Sequence, residues 1–434
     1  MYKTDADPKI TQNFDIRDTD FLDENNLFNE IKRVYSKCKS CRLCIGFCPS
    51  FPALFNAVDD KSDNIEALTQ EELIKPLDLC FYCKQCYFKC PFTPPHEWKV
   101  DFPHLALRYK VFRFKKEGAG FRDKLLVDTD RMGKSSVPIA SIINKLNNTK
   151  LFRYILEPVM GIDKRAKVPS FNKISFEKWF HDNYKINDTV SDVNKFNGKV
   201  VLFYTCMLNY NFLDRGIALI KVLEKNNIYV ELPDIQCCGI PYYDTGDIDN
   251  SIKKAKYNIK NLKKYVEDGF DIIVPVPTCA MQIKHEYPLL LPDSDDATAI
   301  ANKTFDIHEY LYRLYQNGKF NTDFKKSMGK IGYHISCHLK SLNVGYKALN
   351  LLRLIPETSV QTIEKCSGHD GTFGVKKKTF EYASEVGKSL FEDIDSMKMD
   401  YYISDCPLAS DQIEMGTGKK VLHPIEILFE AYSG

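Results

Sequence analysis

The pattern of hydrophobic positions divides the chain into a helical first half and a second half of alternating elements. From Gly198 onward, apolar runs of five or six residues alternate with stretches whose apolar side chains recur at three- and four-residue steps. The runs predicted as strands are VVLFYT, IYVEL, DIIVPV, KIGYHI, VQTIE and YYISD, and the helices between them include FLDRGIALIKVLEKNN and GYKALNLLRLI. This alternation is typical of βαβ units with a parallel sheet, so the second half is predicted to be α/β.

The α/β half repeats the placement of its cysteines. Each of three cysteines that follow predicted strands has a counterpart about 130 residues later, in the same order along the chain. The pairs are Cys206 and Cys337, Cys237 and Cys366, and Cys279 and Cys406. Two similar lobes, residues 196–320 and 321–434, are therefore predicted.

The first half divides into three segments. Residues 1–30 are acidic and hold few apolar side chains, so a partly ordered tail is predicted. Residues 31–100 hold two dense groups of cysteines on either side of NIEALTQEELIKPLDLC, whose apolar spacing predicts a short helix. Residues 101–195 are predicted to form a helical connector. The fold class as a whole is therefore α+β and multidomain.

The connector is basic, with 15 Lys and Arg against 6 Asp and Glu between Arg108 and Lys167. Apolar residues are interleaved with these charges. Two interpretations stay open: a solvated helical face docked between domains, or a surface for a partner or for anionic lipid. If lipid is the partner, we expect peripheral docking that weakens as salt is added.

Composition indicates which partners the chain is expected to bind and in which compartment it is expected to lie. The chain has 434 residues, 44% of them hydrophobic and 27% charged, and a formal net charge of +2, so no whole-chain attraction to nucleic acid is expected. The first residues lack the basic and apolar regions of a secretory signal, and no eighteen apolar residues are consecutive. We expect a cytoplasmic chain, docked at most peripherally on the inner face of the membrane. Its 15 cysteines are then expected to bind metal.

Two copies of the motif CxxCxxCxxxCP lie in residues 31–100. The first has Cys38, Cys41, Cys44 and Cys48, and the second has Cys80, Cys83, Cys86 and Cys90. This spacing is typical of ferredoxins with two 4Fe-4S clusters, in which the fourth cysteine of each motif ligates the other cluster. We therefore assign one cluster to Cys38, Cys41, Cys44 and Cys90, and the other to Cys80, Cys83, Cys86 and Cys48.

The alternative for these motifs is a pair of structural zinc sites. Zinc takes four thiolates in two CxxC pairs, whereas each motif here is a triplet closed by Cys-Pro, which favours iron-sulfur clusters. Neighbouring apolar residues, among them Leu43, Ile45, Phe81 and Tyr82, are expected to screen the clusters from water.

The first α/β lobe presents four thiols after its strands. Cys206 follows the first strand, Cys237 and Cys238 follow the second, and Cys279 follows the third. The carboxyl ends of parallel strands meet at one edge of the sheet, so these four are predicted to converge. Four thiolates suffice for an iron-sulfur cluster and also for zinc.

The second lobe presents three thiols, Cys337, Cys366 and Cys406, in the same pattern. Two hypotheses follow: a cluster with one iron bound by a non-cysteine group or substrate, or a lobe that keeps the fold without metal. Burial of the cysteines as small hydrophobic residues is the plain alternative.

These motifs together resemble the heterodisulfide-reductase-related family, which includes the C subunit of anaerobic glycerol-3-phosphate dehydrogenase and the iron-sulfur subunit of glycolate oxidase. The similarity spans nearly the whole chain. It rests on the tandem ferredoxin motif and on CPFTPPHEWKVDFPHL, QCCGIPYYDTGD, PTCAMQIKHEYP, YHISCHLKSLNVG, CSGHDGTFGVK and SDCPLASDQIEMGTG.

The resemblance implies a helical ferredoxin domain followed by two CCG domains, which ligate unusual clusters in the heterodisulfide reductases. It maps Cys206, Cys237, Cys238 and Cys279 onto the first CCG domain and the three remaining cysteines onto the second. The chain departs from the family pattern at three places: Gln282 and Ala409 stand where each domain has a further cysteine, and Ser367 stands in the middle of the second CCG. A five-thiolate cluster is therefore not expected in either lobe.

The leading functional hypothesis is an electron-transfer subunit. A partner flavoprotein oxidises a hydroxy acid or alcohol phosphate, and the clusters carry its electrons to a quinone or another acceptor. The chain has no GxGxxG after a strand and no GxxxxGK[ST], so it shows no nucleotide or flavin site of its own.

The alternative hypothesis is a redox enzyme with a catalytic site in the second lobe. Its candidates are the three thiols Cys337, Cys366 and Cys406 with nearby histidines, namely His338, His369 and His334. A zinc-stabilised scaffold is a third, weaker interpretation.

Overall fold

The helical domain is built on one apolar face of its first helix. In the computed structural model, which describes residues 14–184 and 195–433, α1 (Glu24–Cys41) buries Leu27, Ile31, Val34 and Tyr35. Their spacing of three and four residues places them on one side of the helix. They pack against apolar residues of α2 (Ser50–Asp60), α3 (Gln70–Asp78), α4 (Gln85–Lys89) and α5 (Phe102–Glu117).

The linker between the two cysteine motifs is helical, which confirms the prediction. A 3-10 turn (Ile65–Ala67) precedes α3. Thr69 and Glu72 form a reciprocal capping box at the start of α3, in which each side chain accepts a hydrogen bond from the other residue's backbone N–H. The helix therefore begins where its local sequence favours it.

One helix of the predicted connector belongs to the helical domain. Leu105 and Tyr109 of α5 lie in the core of that domain, while Leu107 and Val111 on the opposite face join the core of the α/β half. Because α5 is apolar on both sides, it packs between the two parts of the molecule. The remaining connector helices are α6 (Phe121–Val127), α7 (Thr129–Ser136), α8 (Ala140–Asn147), α9 (Lys150–Met160) and α10 (Phe176–Asn183).

Residues 14–30, the described part of the segment predicted as a partly ordered tail, dock on the rest of the molecule. Phe14 and Phe21 are buried, and α1 begins at Glu24. The guanidinium of Arg108 donates hydrogen bonds to the backbone carbonyls of Asp20 and Phe21. These aromatic residues are isolated and follow neither helical nor strand periodicity, so their burial could not be predicted from the hydrophobic pattern. Residues 1–13 of the predicted tail lie outside the described residues.

The first α/β lobe is a four-stranded parallel sheet in the order β2-β1-β3-β4. Its strands are β1 (Gly198–Leu202), β2 (Ile228–Glu231), β3 (Asp271–Val274) and β4 (Thr304–Asp306). Its helices are α11 (Cys206–Tyr210), α12 (Leu213–Lys225), α13 (Ile240–Asp244), α14 (Ile248–Glu267), α15 (Pro277–Met281), a π-helical turn (Gln282–Glu286), α16 (Tyr287–Leu290), α17 (Asp295–Lys303) and α18 (Ile307–Gln316).

The second lobe repeats this topology with the order β6-β5-β7-β8. Its strands are β5 (Gly329–His334), β6 (Thr358–Ile363), β7 (Tyr401–Ser404) and β8 (Val421–Leu422), and its helices are α19 (Cys337–Ser341), α20 (Lys347–Leu352), α21 (Phe380–Ser396), α22 (Pro407–Thr417) and α23 (Pro424–Tyr432). The predicted fold class and repeat are confirmed. The strands β4 and β8 were not predicted, because three and two residues are too short to show a pattern.

Candidate metal centres

The first ferredoxin site is a small, partly open cavity of about 30 Å³ at the end of α1. Its lining includes Cys38, Cys41, Cys44 and Cys90, so the fourth cysteine of the second motif reaches the triplet of the first. Aromatic rings of α2 and of the loop after α4 close its inner wall. The arrangement matches the ligand set that the crossed pattern assigns to one cluster.

The second ferredoxin site is more deeply buried. Cys80 and Cys86 are shielded from solvent, and the charge of Cys48 raises the pKa of Cys80, Cys83 and Cys86 in addition to the effect of burial. The fourth cysteine of the first motif is therefore near all three sulfurs of the second motif, and it is also near Cys44 of its own motif.

A repeated backbone turn shapes both motifs. Arg42 follows Cys41 with φ of +53°, and Lys84 follows Cys83 with φ of +58°. A left-handed residue at the same place in each copy redirects the chain before the third cysteine. The two loops are therefore built alike, as the repeated spacing predicted.

The ferredoxin sulfurs are placed to bind metal as thiolates. Burial, together with the charge of neighbouring sulfurs, raises the pKa of Cys44 and of Cys80 to about 12, so these thiols need a positive partner in order to ionise. Backbone N–H groups point at the sulfurs: Tyr82 N–H donates to Cys80 Sγ at 3.4 Å, and Phe92 N–H donates to Cys90 Sγ at 3.4 Å. Such bonds hold sulfur ligands in place around an iron-sulfur cluster, so the residues present fit one.

The two ferredoxin sites differ in their access to solvent. Cys41 is exposed, and Leu43 and Ile45 beside it are about half exposed. Leu43 lines the first site, but both residues are half exposed, so they screen that cluster from water only in part. Phe81 and Tyr82 are buried at the second site, as expected.

The first α/β lobe brings its four thiols into contact. Cys206, Cys237, Cys238 and Cys279 follow three adjacent parallel strands and form a chain of sulfur hydrogen bonds in that order. Bonds from Cys206 and Cys238 hold the pKa of Cys237 well below its usual range. Within residues 14–184 and 195–433, no three Cys, His, Asp or Glu side chains are grouped as ligands of a single metal ion.

A connector helix covers the thiols of the first lobe. Asp130 of α7 accepts a hydrogen bond from the backbone N–H of Cys237 at 2.9 Å and another from Lys254 Nζ at 2.7 Å. Burial raises the pKa of Asp130, and the charge of Cys237 adds to that effect. This contact could not be predicted from the sequence, because a single aspartate in a basic stretch belongs to no recognisable motif.

The second lobe places two of its three thiols, Cys337 and Cys366, beside the second ferredoxin site, and Cys406 lies near Cys337. Charges on Cys337 and Cys366 raise the pKa of Cys83, after the larger effect of burial. The side-chain amide of Gln85 donates to the carbonyls of Cys83 and Cys337, at 3.1 and 2.8 Å. The loop of one centre is thus hydrogen-bonded to the loop of the other.

One histidine joins three cysteine loops. His338 lies next to Cys337, its Nδ1 is 2.8 Å from the hydroxyl of Thr278, and its Nε2 is 3.2 Å from the carbonyl of Tyr82. Burial lowers the pKa of His338 to about 4, so the ring is neutral and donates through one nitrogen while it accepts through the other.

The other histidines of the second lobe differ from one another. His334 has both ring nitrogens engaged, one with Ser404 and one with the carbonyl of Lys365. Among the described residues, Nδ1 of His369 has no hydrogen-bond partner although it is buried, and burial lowers the pKa of His369 to about 4. Of the candidate histidines, His369 therefore has a nitrogen free to bind a ligand.

A buried charge cluster ties the ferredoxin domain to the first lobe. Glu286 is fully buried and forms an ion pair with Lys84, while the hydroxyl of Tyr243 donates to it at 2.5 Å and His104 Nε2 lies at 3.3 Å. Asp101 orients the other ring nitrogen of His104 at 2.7 Å. Burial alone would raise the pKa of Glu286, but Lys84 and His104 hold it well below its usual range. No local pattern in the sequence indicates this cluster, because its members are far apart along the chain.

The ferredoxin domain and the two α/β lobes are similar to domains of known proteins. The cysteine-rich CCG domain matches residues 200–284 and 331–413, and the Fer4-like domain of citrate utilization protein B matches residues 31–114. The chain is 30% identical to the C subunit of anaerobic glycerol-3-phosphate dehydrogenase from Escherichia coli (strain K12) over 313 residues, which cover 71% of this chain and 77% of that protein.

Two further relatives match a smaller share. Lactate utilization protein A of Geobacillus sp. (strain WCH70) is 28% identical, over 53% of this chain and 98% of that protein. The B subunit of the CoM/CoB fumarate reductase from Methanothermobacter marburgensis is 30% identical, over 56% of this chain and 49% of that protein. The family resemblance and the two CCG domains predicted from the sequence are confirmed.

Proposed function

We propose that this chain, which belongs to the family of the C subunit of anaerobic glycerol-3-phosphate dehydrogenase, is the iron-sulfur subunit that carries electrons between a flavoprotein dehydrogenase and an acceptor. The observation that carries the proposal is the cavity lined by Cys38, Cys41, Cys44 and Cys90, in which a ligand from the second motif completes the first. This crossed arrangement is typical of ferredoxins with two clusters.

The proposed cofactors are two 4Fe-4S clusters in the ferredoxin domain, one on the four cysteines of that cavity and one on Cys80, Cys83, Cys86 and Cys48. When bound, the clusters supply one-electron transfer. The protein supplies sulfur ligands, N–H bonds to sulfur, and a dry environment at the second site. The first site, with Cys41 exposed, is the port to an external redox partner, and the second passes electrons inward.

The CCG lobes extend the path. We assign a further iron-sulfur cluster to the four neighbouring thiols of the first lobe. A zinc ion is the alternative, and the thiols would have to close up around it, because no three ligands among the described residues are grouped around a single ion. Cys337, Cys366 and Cys406 of the second lobe form a redox site beside the second cluster, and the link through Gln85 supports electron passage between them. The metal in each lobe is distinguished by iron, sulfide and zinc analysis.

The test begins with the partner. Anaerobic purification of the full chain from its own cells is expected to bring a flavoprotein with it. Without an acceptor, glycerol 3-phosphate or a 2-hydroxy acid added to that complex should bleach the cluster absorbance within the turnover time of the flavin. A quinone added afterwards should restore the absorbance, because it takes up the electrons. A complex in which the flavin is reduced while the clusters stay oxidised would contradict the proposal.

The second candidate function is a redox enzyme whose reaction takes place in the second lobe. His369 favours this function. Its buried Nδ1 has no hydrogen-bond partner among the described residues, so that nitrogen is able to bind a substrate or a metal. In that case the isolated chain should turn over a disulfide, peroxide or hydroxy acid without any flavoprotein. Loss of this turnover in His369→Ala, with the clusters retained, would distinguish it from the electron-transfer function.

A further inference from the structure

The loop of the second ferredoxin site contains a strained residue. Tyr82, between Cys80 and Cys83, has a φ of +49°, in the left-handed region that a bulky side chain rarely adopts. In this conformation its backbone N–H donates to Cys80 Sγ, 3.4 Å away. Such strain persists only where the surrounding structure holds it. The contacts that hold Tyr82 therefore also hold a hydrogen bond to a sulfur of the second site.

The first ferredoxin motif is built differently at this place. Ser40 stands at the position equivalent to Tyr82, two residues after the first cysteine of its motif, and it lies inside α1. A helical N–H bonds to the carbonyl four residues earlier, so the N–H of Ser40 is used by the helix. Of the two motifs, both of which the structure describes in full, the second alone has the strained turn and its N–H bond to the first cysteine.

Tyr82 is held from both α/β lobes. Its hydroxyl donates to Glu286 of the first lobe at 3.1 Å, which fixes where the ring lies. Its carbonyl accepts a hydrogen bond from His338 Nε2 of the second lobe at 3.2 Å, which fixes the peptide that links Tyr82 to Cys83. With the N–H anchored on Cys80 and the carbonyl anchored on His338, both peptides that flank Tyr82 are held. His338 is therefore placed to maintain the strained turn.

The orientation of the His338 ring follows from its two partners. A carbonyl oxygen can only accept, so Nε2 of His338 carries a hydrogen and donates it to Tyr82. In the neutral ring Nδ1 is then an acceptor, and the hydroxyl of Thr278, 2.8 Å away, donates to it. The side chain is buried between the loops that it joins. Both nitrogens are thus engaged, and the ring has one orientation and one tautomer.

We propose that His338 is a positioning residue that sets the reduction potential of the cluster at the second ferredoxin site. The inference rests on the proposed function, because it requires a cluster on these sulfurs. Hydrogen bonds to sulfur stabilise the added negative charge of a reduced cluster and so raise its potential. By holding Tyr82 in the left-handed region, His338 keeps one such bond on Cys80. The bond favours transfer of an electron from the first site, which is oxidised, to the second, which is reduced.

Redox titration of the full chain, followed by EPR, tests this inference. The chain is poised with chemical mediators, so the potential of each cluster is measured without a flavoprotein. The variant His338→Phe keeps a buried ring and removes the donor to the carbonyl of Tyr82. At a fixed solution potential we expect the ratio of reduced to oxidised second cluster to fall about tenfold, which is a shift of about 59 mV to lower potential. The first cluster of the same sample is the internal control and should not shift.

Two amide variants separate the bond to Tyr82 from any other role of the residue. In His338→Gln the amide nitrogen stands near the place of Nε2 and is able to donate to the carbonyl, so the second cluster should keep the native potential. In His338→Asn the amide is one bond shorter and reaches Thr278 instead, so the potential should fall as in His338→Phe. A residue that only stabilised the lobe would affect both amide variants alike. If His338→Phe does not fold, this pair decides the test.

Iron and sulfide analysis of each sample distinguishes failure of this inference from failure of the proposed function. With about eight irons per chain, an unchanged second cluster in His338→Phe and His338→Asn would overturn the inference and leave the proposed function intact. Equal shifts of both clusters, or equal shifts in His338→Gln and His338→Asn, would overturn it as well, because the effect would not pass through Tyr82. Loss of iron in all three variants would assign His338 to cluster binding instead. Fewer irons in the native chain would overturn the proposed function itself.

Discussion

The two CCG lobes share a fold but differ in what their cysteines contact. Gly239 and Gly368 have positive φ, +91° and +76°, at the same place in each repeat, and the N–H of each donates to the sulfur two residues earlier. In the first lobe four thiols contact one another under α7. In the second lobe Ser367 replaces one cysteine, and two of the remaining three, Cys337 and Cys366, lie beside the second ferredoxin site.

The difference shows that one scaffold serves two purposes. In the first lobe Glu286 fastens the domain to the ferredoxin loops through Lys84. The equivalent residue of the second lobe, seven positions after Cys406, is Ile413, which is buried in that lobe's own core. We infer that the first lobe holds the ferredoxin domain through a buried ion pair, whereas the second lobe contacts it through hydrogen bonds of Gln85 and His338 beside the sulfurs that would pass electrons.

The largest expected effect comes from exchanging the residue at the middle of the CCG sequence. Cys238→Ser should empty the first lobe of its metal, because it removes one of four contacting thiols. Ser367→Cys should raise the metal retained by the second lobe, because it supplies a fourth thiol. Iron, sulfide and zinc per chain measure both. Ser367→Ala is the control and should leave the metal content unchanged; unchanged metal in Cys238→Ser would break the comparison.

The next largest effect concerns Glu286 and its counterpart. Glu286→Leu leaves Lys84 buried without a partner and should lower the free energy of unfolding by about 3–5 kcal/mol. Ile413→Val, at the equivalent position, should cost about 0.5–1.5 kcal/mol. Urea unfolding measures both changes. The double variant Lys84→Met/Glu286→Leu should recover part of the loss, and a double variant less stable than Glu286→Leu would contradict the ion-pair account.

The sequence predicted more of the backbone than of the contacts between domains. Spacing alone predicted the ferredoxin cysteines and the strands whose carboxyl ends precede Cys206 and Cys337, because strand periodicity and ligand spacing are local. Glu286, Lys84 and His104 meet only after three separate segments have folded, so no local pattern contains them. The same holds for Asp130 over the first lobe and for Phe14 against the core.

A smaller effect concerns pH: a buried carboxyl group in each lobe should change the free energy of unfolding with pH, and the two changes should have opposite signs. Burial raises the pKa of Asp370 to about 6, so the native state loses stability as pH rises from about 4 to 6, where the unfolded carboxyl is already ionised. Asp370→Asn should therefore raise the free energy of unfolding by about 1–3 kcal/mol at pH 7 and have little effect near pH 4. The pKa of Glu286 is lowered, so its contribution has the opposite sign: it is present at pH 7 and lost as pH falls below about 4.5.

Thermal unfolding at several pH values checks this prediction. Glu286→Gln is the matched variant and should be destabilising at pH 7, where Asp370→Asn is stabilising. Two variants that change stability in the same direction at pH 7 would show that the two carboxyl groups are not differently placed.

The smallest expected effect concerns the residue three positions after the last cysteine of each lobe. Gln282 is fully buried and, among the described residues, both atoms of its amide lack a hydrogen-bond partner, whereas Ala409 has no polar side chain to satisfy. In the metal-free chain, Gln282→Met should raise the free energy of unfolding by about 1–2 kcal/mol, because it removes an unsatisfied buried amide. Calorimetry of the metal-free chain measures this, and a loss of stability would mean that the amide already has a partner.

The central claim is that the two ferredoxin motifs exchange their fourth cysteines to hold two 4Fe-4S clusters. The most direct test is iron and sulfide analysis with EPR of the anaerobically purified chain, beside Cys90→Ser and Cys48→Ser. The account predicts at least about eight irons per chain, with Cys90→Ser altering the cluster of Cys38, Cys41 and Cys44, and Cys48→Ser altering the other. About four irons or fewer, zinc in place of iron, or each substitution altering the cluster of its own motif would contradict it.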